Sequence, residues 1–157
     1  MSSIIVAGDT SGTCTLQAPA VAGSTVLTLP AVSGTVITTA TGQTLTSPVI
    51  TAYLETAPAI VNSSTAQTIS LTSGTVLSYT LTGNCTFTMP TATSGTSFVV
   101  RLIQDATGSR TATFTGVKWP AAGTVPTITT TALTGVDILS FVCIASVWYG
   151  SAAQAFA

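Results

Sequence analysis

The chain has 157 residues, with three Lys and Arg, four Asp and Glu and no His; 4% is charged, 46% is hydrophobic, and mean hydropathy is +0.65. Intrinsic disorder requires the reverse, low hydrophobicity with high net charge. A net charge of −1, with Arg101, Arg110 and Lys118 as the only cations, leaves too few positive groups to neutralise a phosphate backbone, so nucleic-acid binding is not expected.

The length suits one domain with an extension and allows a sizeable core. The surface is the unusual part. A soluble monomer of this size carries roughly a quarter to a third of its surface as charged residues, whereas here Thr, Ser, Gly and Ala must form the exterior. Much of that exterior is therefore expected to be covered in an assembly. A membrane helix is not expected, because no window of about 18 apolar residues runs free of hydroxyls, Gly and Pro. Met1 to Asp9 lacks the basic region and long apolar run of a signal peptide, which implies a protein made in a reducing compartment.

In chain order, the first strand-like runs are Ser3 to Ala7, Thr13 to Gln17, Thr25 to Leu29 and Thr35 to Thr39, separated by Gly- and Pro-containing breaks. No aromatic residue precedes Tyr53. Aromatic rings supply the large buried areas of a core, so residues 1–57 are expected to form a β-rich N-terminal arm or attachment segment. Residues 58–157 are expected to fold as a self-sufficient domain, with 51–59 as a linker.

Beyond residue 60 the period is two. Leu77, Tyr79 and Leu81 alternate with Ser78 and Thr80; Phe87 and Met89 alternate with Thr86 and Thr88; Ala112 and Phe114 alternate with Thr111, Thr113 and Thr115. One face of each strand is thus apolar and the other Thr-coated, the pattern of a half-buried antiparallel strand. Phe98 to Ile103 and Ile138 to Ile144 are apolar on both faces apart from Arg101 and Ser140, which places them centrally or against another subunit. Turn signals at Thr82-Gly83-Asn84, Thr93-Ser94-Gly95, Asp105 to Ser109 and Ala121-Ala122-Gly123 separate the strands. The expected fold is all-β, an antiparallel β-sandwich, jelly-roll-like, preceded by the arm. Gly23 to Pro30 is echoed by Gly83 to Pro90, but two copies with different loop lengths fall short of a solenoid.

Candidate chemistry is sparse. Cys14, Cys85 and Cys143 are odd in number and widely spaced, and without His they complete neither a zinc site nor an activated thiolate; they read as small buried residues. Gly8-Asp9-Thr10-Ser11-Gly12 carries one residue too many for an aspartic-protease motif and has no second copy, so it reads as a turn. The four carboxylates, Asp9, Glu55, Asp105 and Asp137, are far apart in sequence, and Asp105 is placed to pair with Arg110 across a turn. Trp119, Trp148 and Tyr149 lie near strand ends as core anchors or a contact patch. Asn62-Ser63-Ser64 and Asn84-Cys85-Thr86 read as turn chemistry. No catalytic, cofactor-binding, metal-ligating or disulfide-bonded residue is expected, and no cofactor.

Two stretches carry a resemblance. Ile5 to Pro30, followed by Ser33 to Ile37, resembles the N-terminal segment of many tailed-bacteriophage virion proteins. Gln104 to Phe114, Val117-Lys118-Trp119-Pro120, Thr124 to Ala132, Asp137 to Val142 and Trp148-Tyr149-Gly150 are similar to a β-sandwich module of phage fibre and head-decoration proteins. This resemblance implies a non-enzymatic structural protein of the virion, a homotrimer assembled in the host cytoplasm. Its partners would be copies of itself and the major capsid protein or tail proteins, with a host-surface receptor as a further candidate. The chain shows neither a coiled-coil heptad nor a tip domain, which favours a capsid decoration (cement or head-fibre) protein over the alternative, a tail fibre or receptor-binding adhesin.

Overall fold

The computed structural model describes residues 3–7, 10–17 and 49–156, which fall into two compact units, Met1–Val49 and Ile50–Ala157. The division lies ahead of the 57/58 boundary expected from sequence. In the first unit, β1 (Ser3–Ala7) and β2 (Thr13–Gln17) pair antiparallel, with Ser3 opposite Gln17 and Ala7 opposite Thr13. Gly12, at φ +79°, supplies a left-handed residue in the connection. The expected strands at 25–29 and 35–39, the first copy of the echo, and Gly8 and Asp9 lie outside the described residues.

The second unit is almost entirely strand. Its elements are β3 (Val61–Asn62), β4 (Ala66–Thr68), β5 (Val76–Leu81), β6 (Cys85–Thr88), β7 (Ser97–Gln104), β8 (Ala112–Phe114), β9 (Val117–Lys118), β10 (Val136–Ile144) and β11 (Val147–Phe156). They form a six-stranded sheet, β3-β5-β7-β10-β11-β9, and a three-stranded sheet, β4-β6-β8. The two strands apolar on both faces, β7 and β10, occupy the middle of the larger sheet. Pro120–Gly123 forms a single turn with Ala121 and Ala122 both at positive φ.

From β3 to β8 the chain alternates between the sheets. Each visit lays a strand parallel to the one before: β3 on β5 on β7 in the larger sheet, β4 on β6 on β8 in the smaller. The result is three turns of a two-sheet coil. The hairpin β10–β11 then adds antiparallel to β7, and β9 closes the far edge parallel to β11.

The antiparallel expectation is therefore corrected: it holds for β7-β10-β11 and for β1-β2, while the remaining pairs are parallel, unlike the antiparallel strands of a jelly roll. A strand that must return to the same sheet in the same direction needs a crossover, and here a strand of the other sheet serves as that crossover. The turns of the coil are unevenly spaced in sequence. In the larger sheet Val61 pairs with Tyr79 and Tyr79 with Leu102, steps of 18 and 23 residues; in the smaller, Ala66 to Thr86 and Thr86 to Thr113 are steps of 20 and 27. Unequal steps conceal the repeat from any search for a fixed period.

The inward faces share one core, and the period-two alternation selects it. Leu77, Tyr79 and Leu81 of β5, Phe87 of β6, Ala112 and Phe114 of β8 and Phe141 of β10 are all buried, while Thr86, Thr88 and Thr113 are exposed. Phe87 and Phe114 stack at 4.9 Å between ring centroids, and Phe114 meets Phe141 at 5.0 Å. Trp119 and Trp148 are buried beside them as anchors, the Trp148 indole N–H donating to the Pro90 carbonyl at 3.0 Å. Gly150 makes room for this packing: a Cβ there would fall 2.7 Å from the Trp119 ring.

Candidate functional site

Asp105, Arg110, Asp137, Cys85 and Cys143 are held as structural elements; Asp9 and the Cys14 side chain lie outside the described residues. Asp105 sits in the turn after β7, where its carboxylate accepts from the backbone N–H of Thr107 and Gly108 at 3.0 and 2.9 Å. Arg110 returns across the turn, its Nη2 2.9 Å and its Nε 3.1 Å from Asp105 Oδ2. The Arg110 hydrogen bonds hold the Asp105 carboxyl below the usual carboxylate range, helped by the two backbone donors. Gln104 completes the lock, accepting from the Arg110 N–H and donating to the carbonyls of Arg110 and Thr129. This is the pairing across a turn that the spacing predicts.

Asp137 is a structural carboxylate that sequence reading missed. It is 1% exposed, and its oxygens accept from the Thr129 N–H and Thr129 Oγ1, both at 2.6 Å, and from the Ala155 N–H at 2.9 Å. These bonds tie the 125–130 segment and the end of β11 to β10 and satisfy both carboxylate oxygens. The partners lie on different segments, so no local signal in the sequence could have found them.

Cys85 and Cys143 are free and buried. Burial pushes the Cys85 thiol up, partly offset by the Ser63 side chain, and the thiol donates to the Ser63 carbonyl. A thiol held protonated inside a core is a poor nucleophile. Asn84 accepts from the Thr111 N–H at 3.1 Å, as a turn residue does, whereas Asn62 ends strand β3. No group of three or more His, Cys, Asp or Glu is placed to hold a metal ion among the described residues. No helix among them is long and apolar enough to cross a membrane.

What the fold does present is surface. The outer face of the three-stranded sheet is a grid in register: Ala66, Thr86 and Thr113 form one row, and Thr68 with Thr88 the next. All five are exposed. The outer face of the six-stranded sheet carries Val142 opposite Ser97 and Tyr149, Ser140 opposite Val99 and Ser151, and Ile138 opposite Arg101. Around Val142 and Tyr149 lies a shallow, mainly apolar depression of about 340 Å³, also lined by Ser97, Ser140 and Ser151. Arg101 is the one charged side chain among these positions. A third surface, the rim of 50–61 beside β5, exposes Ile50, Tyr53, Leu54, Ile60 and Val61.

Comparison with protein-family models, with curated proteins and with solved structures finds no match for this chain. The functional reading therefore rests on the chemistry of these surfaces and on the resemblance of the sequence stretches described above.

Proposed function

We propose that this chain is a structural protein of a tailed-bacteriophage virion, a capsid decoration (cement or head-fibre) protein that assembles as a homotrimer on the particle and stabilises it. The observation that carries the reading is the unpartnered apolar surface of the second unit. Leu54, Tyr53, Ile50, Ile60 and Val61 stand exposed along one rim, and Val142, Ile144 and Tyr149 on the outer sheet face. Large exposed apolar side chains set side by side, as Val142 and Tyr149 are across β10 and β11, mark an interaction surface. The polar groups that elsewhere suggest chemistry are taken up by turns and locks, which supports a non-enzymatic role.

In this reading the two sheets are the layers of a β-sandwich that projects outward, and the N-terminal unit is the arm that grips the particle. An arm held by backbone hydrogen bonds needs little side-chain charge, in keeping with a chain that is 4% charged. The partners are other copies of the chain and the major capsid protein, in a virion assembled in the host cytoplasm. The test is electron microscopy of particles carrying a tagged copy. Density on the capsid shell supports the decoration reading; density at the tail, with binding of the purified protein to host cells rather than to empty capsids, would replace it with a tail fibre or receptor-binding adhesin.

A further inference from the structure

Two charged groups in the second unit stand toward opposite sides of one sheet and near one level. Lys118 is on edge strand β9, and its Cα pairs with Tyr149, which pairs with Val142, which pairs with Ser97. The parallel register of β5 on β7 begins with Val76 opposite Val99, so the chain entering β5 at Gly74 and Thr75 lies near the level of Ser97, and the Thr75 carbonyl accepts from the Val99 N–H at 2.9 Å. There the 53–60 segment runs alongside the start of β5. A Cβ on Gly74 would run into the Thr56 carbonyl, and the Glu55 carboxylate accepts from Thr75 Oγ1 at 2.8 Å. Glu55, held beside the start of β5, and Lys118, on edge strand β9, thus stand toward opposite sides of the sheet and near one level.

Within one chain these groups cannot meet. β5 and β9 are separated by four strand spacings, about 19 Å at roughly 4.8 Å per strand. The Asp105–Arg110 pair is the only ion pair among the described residues, so neither Glu55 nor Lys118 has a charged partner there. Arg101, the other cation without such a partner, stands mid-sheet on β7 rather than on a rim.

The rims match in other respects. The Glu55 side exposes Tyr53 at 70%, Leu54 at 97% and Ile60 at 55%; beside Lys118, Tyr149 is 45% exposed. Both edges end in two-residue strands, β3 and β9, too short to template an extended strand pairing, so side chains must carry any contact there. One rim is apolar with an acid, the other apolar with a base.

We infer that neighbouring copies of this chain meet head to tail, the Lys118 rim of one against the Glu55 rim of the next, with the ammonium and carboxylate paired across the contact. A contact between two different surfaces is heterologous, and it closes into a ring when the rotation between copies divides a full turn. This rests on the proposed homotrimer, for which the rotation is one third of a turn. Apolar side chains supply most of the association, and the charge pair sets direction and register.

The test uses the full chain in native mass spectrometry and sedimentation, as wild type, as Lys118→Glu, as Glu55→Lys and as the double swap. Each single reversal faces like charges across every contact and is expected to weaken self-association by about tenfold or more; the swap restores it. Because a reversal could act by unfolding the chain, a second measurement is made on Lys118→Cys/Glu55→Cys in a Cys14→Ser background. The two positions are too far apart to bridge within a chain, so oxidation yields covalent species of up to three chains, and either single cysteine variant yields none beyond a dimer. Wild-type oligomers that survive both reversals and give no covalent trimer would overturn this contact while leaving the assembly reading intact. A wild-type chain that is monomeric would overturn the assembly reading itself, and the contact with it.

Discussion

Phe114 of β8 and Phe141 of β10 meet with ring centroids 5.0 Å apart, joining the three-stranded sheet to the six-stranded one. Phe141 also stacks on Phe98 at 5.0 Å and receives the edge of Trp119 at 5.8 Å, so one side chain holds the final hairpin to the coil beneath it. Its removal leaves a cavity that three rings cannot all fill. Phe141→Ala is expected to cost about 3–5 kcal/mol, read as a lower denaturation midpoint in urea. The conservative Phe141→Leu should cost distinctly less.

The β10–β11 turn is suboptimal in its residues. Ile144 pairs with Val147, leaving a two-residue loop of Ala145 and Ser146 at φ 48° and 60°. Both central residues at positive φ define a type I′ turn, which favours Asn-Gly. Ala145→Asn/Ser146→Gly is expected to stabilise the chain by about 1 kcal/mol. Calorimetry should show a melting temperature several degrees higher, and the backbone N–H of residue 145 keeps its bond to Ser94 Oγ.

The Asp105–Arg110 lock predicts a weakness in acid. The Asp105 carboxyl is held below its ordinary value by Arg110, so its folded pKa lies below its unfolded one. The stability it contributes is full above the unfolded pKa, about 3.9, and is lost as pH falls through the folded value. Denaturant midpoints measured from pH 7 downward should hold until about pH 4 and then fall as Asp105 protonates, and Asp105→Asn should flatten part of that fall. A midpoint in Asp105→Asn that declines as steeply as wild type would show that other carboxylates dominate.

Cys85 and Cys143, 3% and 0% exposed, should be unreactive in the folded chain. In a Cys14→Ser variant, a thiol reagent at neutral pH is expected to label neither until denaturant is added, when both react together. Rapid labelling of the folded protein would show that the sheets open locally.

The inward faces of the coil were legible because side-chain alternation depends only on the two-residue period of a strand. Leu77, Tyr79, Leu81, Phe87 and Phe114 are buried as the alternation requires, and Thr86, Thr88 and Thr113 face out. Strand direction was not legible, since parallel and antiparallel strands share that period. The steps of 18 to 27 residues between paired strands hid the coil. The Asp105–Arg110 pair was visible because both ends lie on one turn. Asp137 with Ala155, and Glu55 near the level of Lys118, depend on register between distant segments, which no local pattern encodes.

Self-association is the most direct test of the central claim, that a chain this poor in charge is built to meet copies of itself. Native mass spectrometry and sedimentation of the purified chain at micromolar concentration should give a species of three times the 15.7 kDa chain mass. Hydrophobic contacts are not screened by ions, so the species should persist in high salt. A stable monomer under these conditions would contradict the account.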